Sequence, residues 1–425
     1  MDGKGGIPMK VLLVSTSERT GGGAIAARRL MEALAKNNVE VKMMVRDKQT
    51  NDPRVVRVGN KIPKLLERLA ILPHIGFNRS RLWQADIANT GISITTTPEF
   101  QEADIIHLHW INQGMISLDE MGKIMSSGKR IIWTLHDMWA FTGLCHYPNK
   151  CRKFLTECGQ CPLLKSKKET DLANKTFWKK AEVYRDAEIN FVAVSSWLAR
   201  CAKESRLLQN QSVTVIPNVL LLSRYVIKDK LSARKSLGLP EDKIIILFGA
   251  VKIDDERKGL TILSEAIRLL IEQKVYSAEQ LHLLLFGGMK RLEILKSLPV
   301  PATYLGFVKG DDELSTLYSA ADVAAIPSHY ETFGQTVIEA QACGCTPVTF
   351  SGSGQMDIIT HKQDGYLAEH LSAEDFARGM NWAISHPVDK AAMRQNVVNR
   401  YSENNIASQY LTLYEASLHH SNRHV

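Results

Sequence analysis

The chain contains no apolar run approaching the ~20 residues that span a bilayer, which argues against an ordinary membrane-spanning helix. No signal-peptide pattern opens it, so the expected location is the cytoplasm, including the inner face of the membrane. No dense Lys/Arg block and none of the common nucleic-acid-binding signatures accompany the formal net charge of +8. Nucleic acid is therefore not an expected partner, and the excess charge points to phosphorylated substrates or an anionic surface. The glycines after the first apolar run, Gly21, Gly22 and Gly23, do not form G-x-G-x-x-G, and no acid follows in the required context. That excludes a nicotinamide-dinucleotide fingerprint. Cysteine is scarce, with seven in 425 residues, yet four of them crowd into one stretch.

What is present is a soluble-protein composition, 44% hydrophobic and 23% charged, over a length that suggests two domains. Short apolar runs recur: "KVLLVST", "VEVKMMV", "DIIHLHW", "RIIWTLHD", "NFVAVSS" and "SVTVIPN", then "KIIILFGA", "LHLLLFGG", "TYLGFV", "DVAAIPS" and "TPVTFSG". Continuous rather than alternating hydrophobicity predicts strands covered on both faces, hence parallel sheets, with helices such as 24–36 and 260–272 as crossovers. Two such series predict two doubly wound α/β domains, at 9–218 and 219–400. A helical tail over 401–425 has no packing partner legible in the sequence. The prefix "MDGKGGIP", ahead of a second methionine at Met9, is set aside as an extension.

The stretch "SHYETFGQTVIEAQACGCTPV" (328–348) places Glu331 in a loop after a predicted strand and Glu339 about one turn inside the following helix. Gly344 and Pro347 supply the helix stop. A glycine-led helix start offers unpaired N–H groups and a positive dipole end to an anion, while carboxylates accept well from sugar hydroxyls. A solvated helix with a stray acid beside it is the plainer alternative.

This segment resembles the paired-glutamate signature of the retaining family 4 glycosyltransferases, with seven residues between the two acids. The resemblance implies a GT-B fold: two facing Rossmann-like domains with a ligand cleft between them. It implies Glu331 as the contact to the transferred sugar and Glu339 as the contact to the nucleotide ribose. The turn of Phe333 and Gly334, with Gln335 and Thr336, would present amides to sugar and phosphate. In "FGAVKIDDERKGL", Lys258 matches the family's lysine on the departing diphosphate and Gly249 its first glycine. The family's arginine after that glycine is absent, since Ala250 and Val251 follow, so Arg257, or in second place Lys252, is the expected substitute. Phe307 and Val308 in "LGFV" would sit by the nucleobase. In the first half, Gly23 would lie beside the donor phosphates and His136 beside the reacting sugar. Asp137 would orient His136 or bind acceptor, and His109 is a weaker acceptor-side candidate. Metal binding by His107 and His109 would need a third ligand. Ser195 and Asn218 match further landmarks, though Val219 replaces the usual glycine.

The resemblance implies a retaining enzyme that moves a hexose from a nucleoside-diphosphate sugar to a hydroxyl of a glycan or lipid-linked glycan. No cofactor is then required for catalysis. The alternatives are a nucleotide-sugar epimerase on the same fold, or a nucleotide-sugar-binding protein without activity. Cys145, Cys151, Cys158 and Cys161, in "CHYPNKCRKFLTECGQCP", leave open a structural zinc, free thiols or disulfides. A subgroup of the family, often found in bacterial polysaccharide clusters, carries a similar "TLHDMWAFTG…CHY…C…CG.CP" insert. Residues 54–83 mix basic and apolar side chains. They read as an arm touching lipid headgroups or a lipid-phosphate acceptor, or, more simply, as a helix-and-loop excursion with a solvated basic face.

Overall fold

The computed structural model describes residues 9–308 and 310–419; the prefix set aside above and the last six residues of the tail lie outside them. The chain divides into two compact units, one running through Val219 and resuming at Ile406, the other Leu220–Asn405.

In the first unit the strands are β1 (Lys10–Ser17), β2 (Glu40–Asp47), β3 (Val55–Arg57), β4 (Ile105–Leu108), β5 (Arg130–Leu135), β6 (Ile189–Ala193) and β7 (Ser212–Val215). They form one parallel sheet in the order β3-β2-β1-β4-β5-β6-β7. Strand β4 is buried along its whole length, as both-face coverage demands. Helix α1 (Gly22–Lys36) carries the crossover from β1 to β2 and packs Ala27, Leu30, Met31 and Leu34 into the core. Helix Glu403–His419 closes the same core with Ile406, Ala407, Tyr410 and Tyr414, which gives the C-terminal tail its partner.

The second unit holds β8 (Ile244–Lys252), β9 (Leu281–Gly288), β10 (Ala302–Tyr304), β11 (Val323–Ile326), β12 (Thr346–Phe350) and β13 (Tyr366–Ala368). Their order is β10-β9-β8-β11-β12-β13, again all parallel. Helices Leu260–Glu272 and Ala373–Ser385 supply core residues including Leu263, Ile267, Phe376 and Met380. Strands β3 and β13 are three-residue edge strands. Neither carries an apolar run long enough to read from sequence.

In each sheet one gap separates strands whose connections leave in opposite directions: β1 from β4, and β8 from β11. Open parallel sheets take their ligands beyond the carboxyl ends of the strands at such switch points. No helix among the described residues is long and apolar enough to cross a membrane.

Candidate functional site

In the second unit the switch point is built by the loop after β8 and the loop after β11. The β8 loop ends in a short turn, Glu256–Lys258, capped by Asp255 and closed by Gly259 with φ 77°. A Cβ at Gly259 would fall 2.0 Å from the Pro327 carbonyl oxygen. Only glycine combines the left-handed backbone with this approach, and the approach brings Lys258 against the end of β11. The backbone N–H of His329 donates to the Arg257 carbonyl (2.9 Å), joining the two loops. Lys258 Nζ then donates to Glu331 Oε1 at 2.6 Å, across 73 positions of sequence. The Glu331 main chain is fixed on both sides: its N–H donates to Ser353 Oγ (3.3 Å), and its carbonyl accepts from the Gly354 N–H (2.8 Å).

Helix Gln335–Ala342 starts directly after Gly334, whose φ of 115° turns the chain into it. Gln335 and Thr336 occupy its first turn, where amides lack intrahelical acceptors. Glu339 lies one turn further in, 6% exposed, and its carboxylate accepts from the hydroxyls of Tyr225 (3.2 Å) and Tyr318 (3.3 Å). Burial and the Glu339 charge together push the Tyr318 phenol up, so it remains a donor. The two tyrosines escaped the sequence reading, because nothing in their local pattern marks them as partners of an acid 114 and 21 positions away.

The remaining second-unit candidates occupy distinct settings. Phe333 is buried with its ring edge-on to Tyr401 (5.6 Å), a packing role. Gly249 is needed sterically, since a Cβ there would fall 2.0 Å from the Phe286 ring. Phe307 is 69% exposed and lies against Gly288, where a Cβ would sit 2.6 Å from the ring; Val308 beside it is half-buried. This leaves a flat aromatic surface at the ends of β9 and β10. Of the two expected second cations, Arg257 clamps Asp255 with Nε and Nη2 (3.2 and 2.7 Å), and Lys252 lies 3.8 Å from Asp254. Burial opposes ionisation of Asp255, but the Arg257 hydrogen bonds and charge outweigh it and hold the carboxyl below its ordinary range.

In the first unit the corresponding switch point gathers the glycine loop and the histidines. A Cβ on Gly23 would lie 3.1 Å from His136 Cβ and Cγ, so the start of α1 sits directly against that ring. His136 Nε2 and His109 Nδ1 share a hydrogen bond of 3.0 Å. His107, behind them, is committed on both nitrogens, to Tyr414 and Thr134 at 2.8 Å each, and Thr134 Oγ1 meets the Tyr410 hydroxyl at 2.9 Å. Burial lowers His136 to about 4 and His107 to about 3, and drives His109 well below its ordinary value, with His107 and His136 adding to the effect. All three rings are therefore neutral near pH 7.

The Asp137 carboxylate accepts from Trp110 Nε1 (2.7 Å), the Trp139 N–H (2.8 Å) and His146 Nδ1 (2.7 Å). Burial works against its charge, but the His146 charge and these donors outweigh it and keep the acid ionised. It braces the loop after β5. His146 was legible only as part of "CHY", where the neighbouring cysteine drew the reading. Ser195 caps helix Ser196–Glu204, Asn218 is 9% exposed, and Val219 is a core residue.

Cys145, Cys151, Cys158 and Cys161 line one cavity of about 400 Å³ together with Phe154, Leu163 and Ala173. All four are free thiols. Burial pushes Cys158 up to about 11 and raises Cys145 and Cys161 as well. Among the described residues, no three His, Cys, Asp or Glu side chains are arranged as a metal-holding group. No chemical step is assigned to a metal.

Two family models match the chain: "Glycosyl transferases group 1" over residues 229–400 and "Glycosyltransferase Family 4" over residues 20–224. An uncharacterized glycosyltransferase of Methanocaldococcus jannaschii is 27% identical over 341 residues, covering 74% of this chain and 83% of that protein. Among solved structures, Anabaena HepE in complex with UDP and glucose superposes with a TM-score of 0.66 at 16% identity, covering 96% of this chain and 100% of the other. Sucrose-phosphate synthase from Thermosynechococcus elongatus gives 0.65 at 20% identity, with coverage of 96% and 98%. The fold shared with these structures is GT-B.

Proposed function

We propose, from the premise that this chain belongs to the family 4 glycosyltransferases, that it moves a hexose from a nucleoside-diphosphate sugar to a hydroxyl of a glycan or lipid-linked glycan, with retention at the anomeric carbon. The observation that carries this reading is the Lys258–Glu331 pair at the β8/β11 switch point, next to a glycine-led helix start. The reading includes a role in polysaccharide assembly on the cytoplasmic side.

The chemistry is a displacement in which the bond from sugar to diphosphate breaks as the acceptor oxygen attacks the same face. Negative charge grows on the departing phosphate, and Lys258 stabilises it. That phosphate takes the acceptor proton, so no side-chain base is needed. Glu331 accepts hydroxyl hydrogen bonds from the sugar and orients it. Glu339 addresses the ribose, with Tyr225 and Tyr318 holding its carboxylate in place. Phe307 offers its exposed ring to the base. Neutral His136, set against Gly23, contributes hydrogen bonding rather than charge.

The test is release of nucleoside diphosphate from a donor panel in the presence of glycan acceptors, with the product anomer read by NMR. Retention and an unchanged rate in EDTA are expected. No binding of any nucleoside diphosphate by calorimetry sinks the reading, and an epimerised donor formed without acceptor converts it to an epimerase. Glu339→Ala is expected to weaken nucleoside-diphosphate binding ~10-fold or more, the loss of charge-assisted hydrogen bonds. Glu331→Ala is expected to leave that binding nearly intact and slow transfer. The reverse pattern refutes the two roles.

A further inference from the structure

Helix α2 (Ile62–Ile71) is amphipathic, with Ile62, Leu65, Leu66 and Leu69 at helical spacing on one face. Such a stripe ordinarily turns to the core. Here it does the opposite: these four side chains are 59%, 59%, 49% and 56% exposed. Only Glu67 and Ile71 of this helix are buried. Glu67 Oε1 accepts from the backbone N–H groups of Ile87 (2.9 Å) and Ala88 (2.8 Å), while Ile71 packs with Ile75, Ala85 and Leu144. Thr90 Oγ1 donates to the Pro63 carbonyl (2.7 Å), fixing the start of the helix. The helix is thus held with its apolar stripe in water. Phe77 (69%) and Trp83 (62%) extend the exposed apolar surface.

Charge sets the kind of partner. Between Arg57 and Gln84 the chain carries Arg57, Lys61, Lys64, Arg68, Arg79 and Arg81, against a single acid, the buried Glu67; Arg54 just before them is paired with Asp52. Lys64 Nζ lies 5.2 Å from the Trp83 ring centre, so a cation and apolar side chains share this surface, while the Arg68 guanidinium, 4.9 Å from the same ring, is buried beneath it. Tryptophan beside lysine and arginine on an amphipathic helix suits the boundary between headgroups and acyl chains.

We propose that this face of the first unit, centred on α2 with Phe77 and Trp83, docks on the surface of a bilayer containing anionic phospholipid. The stripe enters the headgroup boundary, and the surrounding cations meet lipid phosphate. Docking of this kind is independent of the transfer reaction and survives if that reading fails.

Co-sedimentation of the full chain with phosphatidylcholine vesicles, with and without phosphatidylglycerol, tests it directly. Binding is expected only with phosphatidylglycerol, falling as salt rises. The triple variant Leu65→Ser, Leu66→Ser, Leu69→Ser is expected to bind at least ~10-fold more weakly, with the wild-type melting temperature kept because the sites are exposed. Arg57→Glu with Lys61→Glu is expected to weaken binding without touching the apolar stripe. Equal binding to both vesicle types, or wild-type binding by the triple variant, overturns the proposal. So does a dimer in vesicle-free solution that the triple variant abolishes, in the absence of vesicle binding; that result assigns the face to a second copy of the chain.

Discussion

Lys258→Met is expected to lower turnover by ~10²–10³-fold, the usual cost of removing one preorganised charge from a developing anion. The same change should move the melting temperature by no more than ~2–3 °C. The two readouts separate chemistry from architecture. The Lys258 and Glu331 side chains are 31% and 22% exposed, so their ion pair is only partly screened from water and contributes little to folding. On the proposed reaction, donor binding would exchange the carboxylate partner of the ammonium for a diphosphate that gains charge as the sugar leaves. Lys258→Arg keeps the charge but replaces a compact ammonium by a planar fork, and an intermediate loss is expected. Steady-state rates with saturating donor, beside thermal melts of each variant, give both numbers. Turnover within about threefold of wild type, ~0.6 kcal/mol, would remove Lys258 from the chemistry as no more than an incidental contact. A large loss of melting temperature alongside the loss of rate would make the pair structural.

Glu67→Gln should stabilise the first unit above neutral pH and flatten its dependence of stability on pH. Burial, with the neighbouring Asp86 charge adding to it, pushes the Glu67 carboxyl up to about 9 from an ordinary 4.5. The folded state therefore holds a proton that the unfolded chain releases. Stability from this group is fully present below about 4.5 and is lost as pH rises from there toward 9. Each unit of pH across that window costs up to ~1.4 kcal/mol, for a total of a few kcal/mol near pH 8. Glutamine keeps an oxygen to accept from Ile87 and Ala88 and carries no proton to lose. Glu67→Ala strands those two buried N–H groups and should destabilise by ~1–3 kcal/mol at every pH. Urea melts of wild type and Glu67→Gln between pH 5 and 9 decide the matter. Parallel curves would show that Glu67 titrates normally. The same side chain fixes the outward orientation of α2, so the glutamine variant should also bind vesicles as wild type does.

Sequence by itself determined the architecture and the chemical vocabulary. Continuous apolar runs demanded parallel strands covered on both faces, and the local order of strand, loop, glycine and helix located Lys258 and Glu331 in loops after strands and Glu339 in the helix that follows. These are short-range properties, carried by neighbours a few residues apart. Tertiary structure decided what depends on strand order and packing. Lys258 meets Glu331 because β8 lies beside β11, and Glu339 meets Tyr225 and Tyr318 because two separate segments converge on its helix. The tail joins the first unit because Tyr410 and Tyr414 find Thr134 and His107. Asp137 serves Trp110, Trp139 and His146, donors that the loops after β4 and β5 bring to it. The α2 stripe had the periodicity of a buried helix face. Its exposure was settled by one acid hydrogen-bonded to amides 20 and 21 residues away, a contact no local pattern encodes.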